Sequence, residues 1–144
     1  MRTTFFALLA ALSLMPLTLR AAEQSPELPI MPMPESLAEL QWIARPVIVF
    51  ADTPNDPRFI QQMQRLTARP APLIERDVVV ITDTDPAARS PLRQELRPRG
   101  FSMVLIGKDG QVKLRKPAPW DVRELTRVID KSPIRQQEVK DRLN

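Results

Sequence analysis

Two stretches of this chain repeat one pattern, and that pattern decides which folds are open to it. Val47-Ile48-Val49-Phe50 is a short apolar run without polar alternation. The turn behind it ends in Asp56-Pro57, and Phe59, Ile60, Met63 and Leu66 then recur at helical spacing up to Arg69-Pro70. Val78-Val79-Val80-Ile81-Thr82 repeats the run, followed by Asp83-Thr84-Asp85-Pro86 and a weaker helical stretch to about Leu96. An apolar run of this length suits a strand covered on both faces. Aspartate before proline supplies a helix N-cap carboxylate and a first-turn residue. Two consecutive units of this kind predict parallel strands joined by crossover helices.

The remaining elements close the sheet in the opposite sense. Residues 101–106 and 111–115 flank Gly107-Lys108-Asp109-Gly110, whose Asp-Gly pair favours the left-handed conformations a tight hairpin needs. Asp121 with Glu124 predicts a capping box, and Val122, Leu125, Val128 and Ile129 line one face of a closing helix. The order is βαβαββα, which predicts an α/β three-layer sandwich with a mixed sheet of about four strands and helices on both faces. That order is the thioredoxin fold's order.

The flanks divide as follows. Residues 1–22 carry Arg2, an apolar run from Phe5 to Leu14, Pro16 and the small pair Ala21-Ala22, the layout of a signal peptide. The run falls short of the roughly 20 residues that cross a bilayer. Without Arg2 and Arg20 the formal charge falls from +4 to +2, and with no block of like charges a nucleic-acid partner is not expected. Residues 23–35 hold prolines at 26, 29, 32 and 34 and read as an extended linker outside the sheet. Ser36 and Glu39 predict a capping box for a short helix through Trp42 that opens the domain at 36–131. Residues 132–144 form a polar helix or tail from Ser132-Pro133, expected to dock loosely or only with a partner.

The residues also resemble a thioredoxin-like domain family of unknown function seen in exported bacterial proteins and in extracellular sushi-repeat proteins. The resembling stretches are residues 45–51, 75–80, 100–110, 112–115 and 129–135, and the Gly-Lys-Asp-Gly hairpin with its Lys-Leu-Arg return strand is the strongest part. The resemblance implies the fold and a secreted or periplasmic setting. It supplies no activity and no catalytic residues.

Thioredoxin chemistry needs a low-pKa cysteine at the start of the first helix and usually a resolving cysteine nearby. This 144-residue chain has neither cysteine nor histidine. Asp52-Thr53-Pro54-Asn55-Asp56 occupies the turn, and Phe101-Ser102 stands where a proline and threonine would precede the third strand. Thiol exchange and thiol peroxidase action are excluded by composition. Ligands of open α/β sheets bind beyond the carboxyl ends of the strands. The candidate residues there are Asp52, Thr53, Asn55, Asp56, Arg58, Asp83, Asp85, Phe101 and Ser102. Their carboxylates act as caps and Asx-turn acceptors in the favoured reading. The sharper reading is a small polar or cation site within reach of Arg58 and Arg89, whose hard oxygen ligands would suit calcium or magnesium, and the alternative function is a cofactor-independent or metal-dependent enzyme using Asp52, Asp56 and Asp83. No cofactor is expected.

Trp42 and Trp120 are expected to pack over the end of the sheet rather than to anchor a partner, and Lys113, Arg115, Lys116, Arg123 and Arg127 to form a solvated basic face. The function these residues favour is an exported binding module that holds a protein or an extracellular or periplasmic matrix partner through the strand-end edge and the basic hairpin, with no membrane anchor after signal cleavage.

Overall fold

The computed structural model describes residues 25–144; the expected signal peptide at 1–22 lies outside them. Five strands, β1 (Ile30–Pro32), β2 (Arg45–Phe50), β3 (Val78–Asp83), β4 (Ser102–Ile106) and β5 (Val112–Lys116), form one mixed sheet in the order β1-β3-β2-β4-β5. β1 and β2 each pair parallel with β3, whereas β4 pairs antiparallel with both β2 and β5. Helices α1 (Pro57–Ala68), α2 (Ala71–Ile74), α3 (Pro91–Leu96), α4 (Val122–Asp130) and α5 (Pro133–Leu143) complete it.

The sheet has one strand more than the sequence predicted. The end of the proline-rich segment lies alongside β3, with Ile30 opposite Val80, and the Pro29 carbonyl accepts from the Val80 N–H at 2.8 Å. An edge strand bonds on one side only, so prolines lacking an N–H are tolerated there. Pro46 obeys a similar rule inside the central strand. The odd-numbered N–H groups of β2 turn toward β3, as Arg45 N–H to the Asp77 carbonyl shows. The missing donor of Pro46 would therefore face β4, whose ladder begins only at Val47.

Alternation along the strands splits the core in two. Val47, Val49, Val80, Met103 and Leu105 face α1, α2 and α4 through Leu66, Leu73, Leu125 and Ile129. Ile48, Phe50, Ile81, Val104 and Ile106 face Leu92 of α3 and the segment holding Met31, Leu37 and Leu40. This is the expected three-layer sandwich. All six residues of β2 and all five of β4 are buried, which is why these runs lack polar alternation.

Several local expectations are corrected. Asp56 does cap α1, accepting from the Arg58 N–H at 2.9 Å. Within α1, Ile60 is exposed while Gln62 is fully buried, its amide donating to the Trp120 carbonyl and its carbonyl accepting from the Trp120 N–H. Helical spacing alone could not tell the two positions apart. Asp85 caps nothing; Pro86–Ala88 is a single 3-10 turn, and Ser90 caps α3 instead. Asp121 forms no side-chain cap and pairs with Arg65 at 3.4 Å. The helix through Trp42 shrinks to a 3-10 turn at Ala38–Leu40, because Ser36 Oγ accepts from the nearby Ala38 N–H and the chain must reverse into β2 at once.

The C-terminal helix is also held more firmly than a loosely docked element. Ser132 caps α5, and the side chains of Arg135 and Glu138 bond it to the rest of the domain.

Candidate functional site

β2 and β3 end side by side, and the turns behind them carry the acidic candidates. Asp83, the last residue of β3, is buried beside Arg93 of α3. Arg93 donates to both Asp83 carboxylate oxygens at 3.0–3.1 Å and to the Ala51 and Asp83 carbonyls at 3.0 Å. Ser90 Oγ–H and the Asp85 N–H also donate to Asp83, at 2.8 and 3.2 Å. Burial raises the Asp83 pKa, but the Arg93 and Ser90 bonds outweigh it and hold the carboxyl below its ordinary value. The Arg93 guanidinium further stacks over the Phe50 ring, 5.3 Å from its centre. This is a closed pair with its donors and acceptors committed inward.

The other candidates do not join it. Asp52 is mostly exposed and reaches Arg93 only at 3.9 Å. Thr53 Oγ1 accepts from the Asn55 N–H, which makes a local turn. Asp56 pairs with Arg58 at 3.0 Å, and that bond holds its carboxyl below the ordinary value. Arg58 in turn lies 5.8 Å from the Phe101 ring centre. Phe101 and Ser102 are buried, while Asp85 and Arg89 are exposed. Among the described residues no group of three or more His, Cys, Asp or Glu side chains could hold a metal ion. Sequence reasoning missed Arg93 as Asp83's partner. Ser90-Pro91 was the available signal, since it starts a helix as Ser132-Pro133 does and places Arg93 one turn in.

At the opposite end of the sheet, a second charged group was not foreseen at all. Glu138 of α5 is shared by Arg45 at 3.0 Å, Lys108 at 2.8 Å and Arg135 at 3.4 Å. Lys108 also bonds Asp77 at 2.8 Å, and Arg76 pairs with Asp130 at 2.7 Å. Arg45 and Arg135 are each 3% exposed, and Arg135 Nε has no hydrogen-bond partner. Burial pushes the Glu138 pKa up, yet Lys108 and Arg45 overcome it and lower the pKa to about 2. Many of these charges lie in the stretches that carry the family resemblance. Folding brings them together from β2, the α2–β3 turn, the hairpin and the last two helices.

Trp42 stands at this same end. Its backbone has φ of 65°, its N–H donates to the Lys108 carbonyl at 2.7 Å, and its side chain is 64% exposed beside Ile43 at 67%. Trp120, by contrast, packs on the core under Lys116, whose ammonium lies 4.5 Å from the ring centre. The expectation of two packed tryptophans holds for Trp120 alone. Two cations of the basic hairpin face are paired, Lys113 with Asp109 and Arg127 with Glu124, while Arg115 donates to the Leu96 carbonyl and keeps its charge.

The fold is shared with solved thioredoxin-like structures. A reduced 2-Cys peroxiredoxin from Plasmodium vivax matches with a TM-score of 0.56 at 13% identity, over 71% of this chain and 83% of that one. A thioredoxin from Thermus thermophilus matches with a TM-score of 0.53 at 21% identity, over 74% and 87%. At these identities the likeness concerns the fold alone. No curated protein matches this chain. Residues 36–138 match one sequence family, and the chain therefore belongs to the family described as "Domain of unknown function (DUF4174)".

Proposed function

We propose that this chain is an exported binding domain, a thioredoxin-like scaffold that holds a protein or matrix partner and carries out no thiol chemistry. The observation that carries this reading is Trp42. A bulky L-residue in the left-handed region costs about 1–2 kcal/mol, and here that cost accompanies an indole left in solvent rather than buried. Strain of this kind persists only where surrounding bonds impose it. The Lys108 carbonyl and the bond from the Gln41 amide to the Asp109 carbonyl at 3.1 Å supply that restraint. Tryptophan is among the residue types enriched at binding hot spots, and Ile43 extends the apolar patch.

Export is supported by the N-terminal pattern of Arg2, the apolar run and Ala21-Ala22. The candidate strand-end residues fit a structural role, since Asp83 is committed to Arg93 and Asp56 to Arg58.

The test is affinity capture from the exported fraction of the source cells, using the wild-type chain and Trp42→Gly. Glycine accepts the positive φ without strain. A partner retained by the wild type and lost by a folded Trp42→Gly variant is the expected outcome, and equal capture by both would overturn the reading.

A further inference from the structure

Beside the shared-charge network, a cavity of about 260 Å3 opens between the β4–β5 turn and the α4–α5 junction. Leu105, Ile106, Val128, Ile129 and Ile134 make its walls apolar. Four cations, Arg45, Lys108, Lys113 and Lys131, complete the lining, with no carboxylate among the lining residues. Three of the four are already paired: Arg45 and Lys108 with Glu138, and Lys113 with Asp109. Lys131 makes no ion pair among the described residues and supplies the surplus positive charge. Gly107 shapes the same rim. A side-chain carbon there would stand 2.5 Å from Lys113 Cε, so glycine lets the Lys113 stem lie across the turn.

An apolar hollow with a cationic rim complements a ligand that is apolar at one end and negative at the other. We propose that this cavity binds a small amphipathic carboxylate, its apolar body between Ile106, Val128 and Ile134 and its anionic end against Lys131. The volume lies just under the roughly 300–1,000 Å3 of pockets for drug-sized ligands, which suits a body of about eight carbons. The proposal does not depend on Trp42, and either can fail without the other.

The test uses octanoate, 1-octanol and octylamine as probes, with methyl NMR on the full chain. Octanoate is expected to shift the Ile106, Val128 and Ile134 methyls saturably. The alcohol is expected to bind about tenfold more weakly and the amine not at all. Lys131→Ala should weaken octanoate about two- to fivefold and leave the alcohol unchanged, as loss of one exposed charge contact implies. Ile134→Trp, which fills the hollow, should abolish both. Equal binding of octanoate and octanol, shifts mapping elsewhere, or an unaltered Lys131→Ala variant would overturn the assignment. Sedimentation with phosphatidylglycerol vesicles in the absence of any octanoate shift would give the basic rim to a membrane surface and overturn it equally. Because Lys131 is exposed and bonds no other side chain among the described residues, its variant is expected to fold. The octanoate–octanol comparison on the wild-type chain needs no variant at all.

Discussion

The two ends of the sheet hold charge in different ways. At the carboxyl ends of β2 and β3, Asp83 and Arg93 form a compact pair whose bonds run to each other, to the Ser90 hydroxyl and to nearby main-chain groups. At the opposite end, one carboxylate, Glu138, serves three cations, and Arg135 Nε is left without a hydrogen bond. The closed pair lies beside the Asp52–Asp56 turn, where thioredoxin chemistry would need its cysteine, and it leaves little to offer a ligand. The shared network adjoins a cavity and an exposed tryptophan. Two of the strand-end carboxylates, Asp83 and Asp56, are committed to arginines, whereas the exposed Trp42 and the cavity lie at the far end.

The largest expected effect comes from breaking the closed pair. Asp83→Ala strands a buried guanidinium and should lower stability by about 3–5 kcal/mol in urea unfolding. The double variant Asp83→Leu with Arg93→Met should recover only part of that loss, because it removes the stranded charge but leaves the Ser90 hydroxyl and the Ala51 and Asp83 carbonyls without their partners. Glu138→Gln takes the carboxylate from Arg45, while Lys108 keeps Asp77 and Arg135 keeps Glu75 and Asp130, and its smaller loss in urea unfolding should not be rescued by any single partner substitution.

Acid separates the ends further. The folded-state pKa of Glu138 is depressed from 4.5 to about 2, so its contribution is present above the unfolded value. It is lost as pH falls from about 4.5 toward 2, by about 3 kcal/mol in all. Urea midpoints between those pH values should fall more steeply for the wild type than for Glu138→Gln.

Salt should have a smaller effect. Raising it from about 0.1 M to about 1 M shortens the screening length from about 10 to 3 Å. Arg76–Asp130, the more exposed pair, should lose up to about 1 kcal/mol in a double-mutant cycle, while Asp83–Arg93 should hardly change. The smallest effect belongs to Trp42→Gly. Relief of the left-handed strain offsets the added freedom of the unfolded chain, and stability should stay within about 1 kcal/mol of the wild type by thermal melting.

How much of this could be read from residues alone depended on the range of the interaction. β2, β3, the β4–β5 hairpin and α4 were legible because apolar runs, an Asp-Gly turn and helical spacing are local signals. The first strand was not, since Ile30–Pro32 becomes a strand only through β3 beside it. Caps fared unevenly: Asp56 and Ser132 bond their own helices, whereas Asp85, which precedes a proline as Asp56 does, and Asp121, which opens a capping-box pattern with Glu124, do not. The network around Glu138 draws on Arg45, Lys108 and Arg135, residues up to 93 positions apart. No local pattern foretells such a meeting. Trp42 was read as packed because tryptophan usually is. Its exposure follows from a main-chain bond to the hairpin, which sequence spacing does not reveal.

The most direct measurement sets the two ends against each other. Exported-fraction capture is run with three chains: the wild type, Trp42→Gly at the hairpin end and Asp52→Asn at the strand-end turn. The expected result is a partner held by the wild type and by Asp52→Asn and lost with Trp42→Gly, all three chains melting alike. Loss with Asp52→Asn and retention with Trp42→Gly would place recognition at the end where thioredoxins do their chemistry and contradict the assignment to the hairpin end.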